Sequence, residues 1–69
     1  MAKKKSHRII THAAIEIAGG GASMARALGV TRATVSLWKN KGEIPISRVP
    51  AVSDLTGIPK ASLRSDYWG

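Results

Sequence analysis

Between residues 21 and 40 the apolar positions Met24, Leu28, Val30, Val35 and Trp38 are spaced by 4, 2, 5 and 3 residues. No single helix places such gaps on one face, but two short helices sharing one wedge of core do. The first of them is expected over residues 22–28, rich in Ala, Met, Arg and Leu, all strong helix formers. Gly29 then stands where a left-handed backbone stops a helix without strain. Thr31 supplies an N-cap for a second helix over residues 32–39, closed by Asn40-Lys41-Gly42. Ala25, four residues before Gly29, is small enough to let the two helices cross closely.

Before this segment, Ile10, Ala14 and Ile17 recur at spacings of 4 and 3, with Ile9, Ala13 and Ala18 widening the stripe. That pattern predicts an amphipathic first helix, capped by Ser6 or Thr11 and ended by Gly19-Gly20-Gly21. After it, Glu43-Ile44-Pro45-Ile46 reads as an extended link. A fourth helix is expected over residues 47–56, with Ser47 as cap, Pro50 in the first turn where its missing N–H costs nothing, and Gly57 as stop. Val49, Val52 and Leu55 would form its buried face. Pro59 opens a fifth, short helix over residues 59–64, and residues 65–69 read as irregular. No stretch alternates like a strand for more than four residues. The expected fold is therefore all-α, a small four- to five-helix domain over residues 9–69, preceded by a basic arm over residues 1–8.

Charge sharpens this picture. Eleven Lys and Arg oppose four acids, Glu16, Glu43, Asp54 and Asp66, for a net charge of +7 in 69 residues. A positive field of this size on one small domain recruits polyanions. Without cysteine there is neither a disulfide framework nor a thiolate metal site, and His7 and His12 lack further partners at ligand spacing. No cofactor, metal or small-molecule ligand is expected. The scattered acids and two histidines offer no acid–base pair, so an enzyme is not expected either. The apolar runs fall far short of the roughly 18 residues that span a bilayer, and no apolar core follows the N-terminal lysines as in a secretion signal.

The outward positions of the helix over residues 32–39 carry the candidate chemistry. A helix enters the major groove only if nothing bulky separates its backbone from the bases, and Thr31, Ala33 and Ser36 keep that face low. Arg32 suits the bidentate contact to guanine O6 and N7, with a phosphate contact as the plainer alternative. Leu37 should also face outward; contact with a thymine methyl and contact with a protein partner or the core are both open. Trp38 is expected in the core rather than stacked on bases. Lys39, Asn40 and Lys41 close the helix where phosphates pass, and Ala22 and Ser23 sit at a helix N-terminus that suits a phosphate. Lys3-Lys4-Lys5 and Arg8 could track phosphates or serve only long-range attraction. Double-stranded DNA is the expected partner.

Taken together, Ala25, Leu28-Gly29-Val30 and Val35-Ser36-Leu37-Trp38 resemble the helix-turn-helix of Cro-type phage repressors. The likeness is closer to the YdaS-like group of small phage and prophage regulators, which shares Ile44-Pro45, Arg48-Val49-Pro50-Ala51 and Leu63-Arg64-Ser65-Asp66-Tyr67-Trp68. This resemblance implies a lambda-repressor-like DNA-binding domain and a transcriptional repressor acting on operator DNA in a bacterial cytoplasm. It implies a dimer on a pseudo-palindrome; with so thin a core, a weak homodimer completed on DNA is expected. By matching positions it places Thr31, Arg32, Ala33, Ser36 and Leu37 against bases. Two positions depart from the group: Gly21 and Leu37 stand where glutamine is frequent. Two other functions fit the residues: an antitoxin-like regulator of a toxin pair, and a non-specific DNA or protein interaction module.

Overall fold

The computed structural model describes residues 7–68, and among them every regular element is helical. In chain order these are α1 (Arg8–Ile17), α2 (Gly21–Leu28), α3 (Arg32–Lys41), a 3-10 turn (Ile46–Arg48), α4 (Val49–Thr56), α5 (Lys60–Leu63) and α6 (Ser65–Trp68). The all-α expectation holds, with one addition. Ser65–Trp68, read as irregular, forms a helical turn because Tyr67 and Trp68 both donate their amides to the carbonyl of Arg64.

The pair α2–α3 follows its sequence signals closely. Gly29 ends α2 in the left-handed region at φ 72°, and the amide of Val30 returns to the carbonyl of Ala25 at 2.9 Å. Thr31 caps α3 as expected: its Oγ1 accepts from the amide of Thr34 at 3.1 Å. Met24, Ala25, Val35 and Trp38 are buried in one core, with Leu28 and Val30 half-buried at its edge. The helix α3 continues to Lys41, two residues beyond the expected end, before Gly42 stops it.

The first helix is turned differently from its apolar stripe. Ala14, Ile15 and Thr11 are buried, together with His7 just ahead of the helix, whereas Ile9 is 87% and Ile17 58% exposed. At about 100° per residue the inward stripe lies roughly a quarter turn from the one that apolarity alone selects. The inward side also takes in His7, whose Nε2 accepts from the backbone amide of Ser65 at 3.2 Å, a polar contact that apolar periodicity does not count. Thr11 consequently lies inside the helix and does not cap it, and α1 has no side-chain cap.

Two further differences concern the second half. Ser47 lies exposed within the 3-10 turn instead of capping α4, which begins at Val49 with Pro50 in its first turn. Val49 and Val52 are fully buried, but Leu55 is left 38% exposed at the margin. Ile44 from the extended link and Leu63 from α5 take up the remaining core volume, both completely buried. Among the described residues no helix is long and apolar enough to cross a membrane.

Candidate nucleic-acid interface

The orientation of α3 follows from which of its side chains the core accepts. Val35 and Trp38 are 2% and 5% exposed, three residues apart and therefore on one face. With the helix held by that face, Ala33, Ser36, Leu37 and Asn40 fall on the opposite side and Arg32 on the flank at the leading end, and all five are exposed. Thr31, Lys39 and Lys41 are exposed beside them. On α2, Ala22 is exposed and Ser23 half-buried, its Oγ 3.1 Å from the point a Cβ on Gly19 would occupy. The N-cap of α2 is Gly20, which has no side chain to cap its leading amides.

The charge on this surface is not neutralised from within. Among the described residues no salt bridge involves Arg26, Arg32, Lys39 or Lys41. Two of the four acids instead surround Arg64, far along the chain. The carboxylate of Asp66 accepts from Arg64 Nε at 2.9 Å and from Nη2 at 2.7 Å, and Glu43 lies 3.8 Å from Nη2. Arg64 Nη1 donates to the carbonyl of the buried Ile44 at 2.8 Å. A fork of this geometry satisfies most of one guanidinium's donors and locks the link before the 3-10 turn onto the C-terminal turn. His7 joins the same cluster, its Nε2 3.1 Å from Ser65 Oγ and 3.8 Å from Asp66 Oδ1.

The hydrogen bonds from Arg64 hold the Asp66 carboxyl down at about 2, below its ordinary 3.8, and the same pairing raises the Arg64 guanidinium. A carboxyl whose pKa is lower in the folded chain contributes stability that is complete above the unfolded value and lost as pH falls through the folded one. Stability should therefore decline between about pH 4 and pH 2 through this group. Urea midpoints measured across that window should fall for the native chain, and fall less steeply for Asp66→Asn.

Arg8 has a role that the sequence did not suggest. Its Nη1 donates to the carbonyl of Asn40 at 3.2 Å and approaches that of Lys39 at 3.5 Å. A cation at those carbonyls stabilises the C-terminal end of α3 and ties the first helix to the last turn of the exposed face. His7 and Arg8, assigned from sequence to the basic arm, are thus a buried ring and the first residue of α1. Lys3, Lys4 and Lys5 lie outside the described residues. Among the described residues no three His, Asp or Glu side chains are grouped to hold a metal ion. Tyr67 is 65% exposed and packs edge-to-face on Trp68, ring centroids 4.6 Å apart, while Trp68 leans on the core.

Comparison with known proteins places this arrangement. A family model described as "Bacterial toxin YdaS" matches residues 11–69, from the first turn of α1 through the C-terminal aromatic turn. No curated protein and no solved structure matches the chain.

Proposed function

The chain belongs to the bacterial toxin YdaS family, and we propose that it is a sequence-specific DNA-binding regulator of the Cro kind, inserting α3 into the major groove of operator DNA. The observation that carries this reading is the division of α3 itself. Its apolar anchors Val35 and Trp38 are sunk in the core, and its small, basic remainder is displayed with no internal counter-charge. Arg32, at the leading end, reads a guanine through O6 and N7, and Thr31, Ala33, Ser36 and Leu37 lie along the neighbouring base edges. Lys39, Asn40 and Lys41, with the uncapped amides at Ala22 and Ser23, hold the phosphates and set register. A weak homodimer, completed on DNA, would address two half-sites about 34 Å apart.

Selection of bound duplexes from random sequence tests the reading directly. The native chain is expected to enrich one half-site. Arg32→Ala should lose about 1–3 kcal/mol, chiefly at one G·C pair, while Lys39→Ala or Lys41→Ala should weaken all sequences evenly and reduce the salt slope by about one. Equal binding to every sequence by the native chain would overturn the proposal.

The family's description favours a second reading, in which regulation is coupled to toxicity. Controlled expression in a bacterial host distinguishes the two. Growth arrest by the native chain that persists in Arg32→Ala would assign the toxic effect to something other than base readout.

A further inference from the structure

We propose that Leu37 selects a 5-methyl pyrimidine, thymine in ordinary DNA, in the half-site read by α3. This rests on the DNA-reading function above and adds a second specificity determinant to Arg32. Leu37 is 60% exposed although it neighbours the buried Trp38 in sequence. The helix cannot rotate to hide it, because Val35 and Trp38 are both held in the core on the other face. Contact with the core is thereby removed as an account of this leucine.

The surroundings of Leu37 decide between DNA and a protein. One turn away on either side along α3 stand Ala33, Thr34, Asn40 and Lys41: one methyl, a hydroxyl, an amide and a cation. A docking surface for a protein is a contiguous apolar patch of some hundreds of Å², and along α3 itself a single leucine among such neighbours does not make one. The same surroundings suit a major groove, where phosphates face the lysine and the apolar group met along the base edges is the thymine C5-methyl. Leucine has neither donor nor acceptor. An adenine N6 or cytosine N4 amino group brought against it would lose water and gain no partner, so the residue also discriminates against those bases. Leu37 lies five residues after Arg32, about 7.5 Å along the helix axis, which places the methyl on the order of two base pairs from the guanine contact at about 3.4 Å per pair.

The test removes the methyl from the DNA and the side chain from the protein separately. In the duplex preferred by the native chain, each thymine is replaced in turn by deoxyuridine, which keeps every hydrogen-bonding group. One position per half-site should weaken binding by about fourfold, the effect of one methyl withdrawn from an apolar contact. The same replacement should leave Leu37→Ala unaffected. Cytosine placed at that position should bind better when methylated at C5 than when not, and only for the native chain. Leu37→Gln should turn the preference there towards adenine. Because Leu37 is exposed, both variants should unfold at the native urea midpoint, so a binding change cannot be ascribed to loss of fold. Sequence-selective binding that ignores every deoxyuridine, or a deoxyuridine penalty that survives in Leu37→Ala, overturns the proposal and leaves the reading by Arg32 intact. Loss of selectivity altogether would instead overturn the DNA-reading function on which it rests.

Discussion

Trp38→Ala is expected to lower the stability of the chain by about 3–5 kcal/mol. The side chain is 5% exposed and stands between the end of α3 and the common core, so its removal opens a cavity as well as forfeiting burial. Such truncations cost about 3–5 kcal/mol. A domain of this length has a total stability of about 3–10 kcal/mol, at roughly 0.05–0.15 kcal/mol per residue. The loss is thus a third to a half of the stability at the top of that range and all of it at the bottom. The backbone bonds at this position, from the amides of Gly42 and Glu43 to the carbonyl of Trp38 at 2.8 and 3.2 Å, survive in alanine, so the loss is one of side-chain packing. Far-UV circular dichroism with a urea titration reads the result. Leu37→Ala, one residue earlier but on the exposed face, should change stability by no more than about 0.5 kcal/mol. If the two neighbours responded alike, α3 would not be anchored through Val35 and Trp38, and the face it exposes would differ with that rotation.

The rotation of α3 was legible in the sequence because two large apolar residues three positions apart, with small and charged residues between and around them, leave a helix only one way to pack. The same holds for the junction of α2 and α3, where Gly29 and Thr31 each have one conformational task and no competitor for it. The first helix was less legible. Six apolar residues made a convincing stripe, yet the inward face takes in Thr11 and His7, whose ring accepts from the amide of Ser65, 58 residues away in sequence. Periodicity weighs apolarity and is blind to a polar tether of that range. For the same reason the cluster of Arg64, Asp66, Glu43 and His7 was not foreseen: Arg64 and Asp66 stood out only as part of a shared motif, and Glu43 and His7 join them only once α5 has turned back over the link at Ile44. Ile44 and Leu63 were missed as core because each is a lone apolar residue in a segment too short to show a period. The exposure of the candidate residues was more legible than the packing beneath them, since it depended on one local rotation, whereas the core needed the whole topology.

Gly42→Ala should join a local defect to a functional one. Gly42 sits at φ 77°, in the left-handed region, and is buried. A Cβ there would lie 3.2 Å from Arg8 Cβ, 3.3 Å from Arg8 Cζ and 3.4 Å from Arg8 Cα. Left-handed backbone costs a residue with a Cβ about 1–2 kcal/mol, and overpacking adds about 1–3 kcal/mol more where the neighbour cannot yield. Arg8 can yield only in part, because its Cα belongs to α1 and its guanidinium is held at the carbonyls of Lys39 and Asn40. The expected loss is about 2–4 kcal/mol, greater than that of Gly29→Ala, which has the same backbone geometry at φ 72° but open space where its Cβ would go. The comparison separates strain from crowding, and the difference between the two urea-derived stabilities measures the Arg8 contact alone. Because that contact fixes the last turn of α3, the surviving folded fraction of Gly42→Ala should also hold Lys39, Asn40 and Lys41 less firmly. On duplex DNA this should appear as weaker binding to all sequences with the base preference at Arg32 retained. Equal stability losses for the two alanine variants would show that Arg8 moves aside freely and plays no part in setting the end of α3.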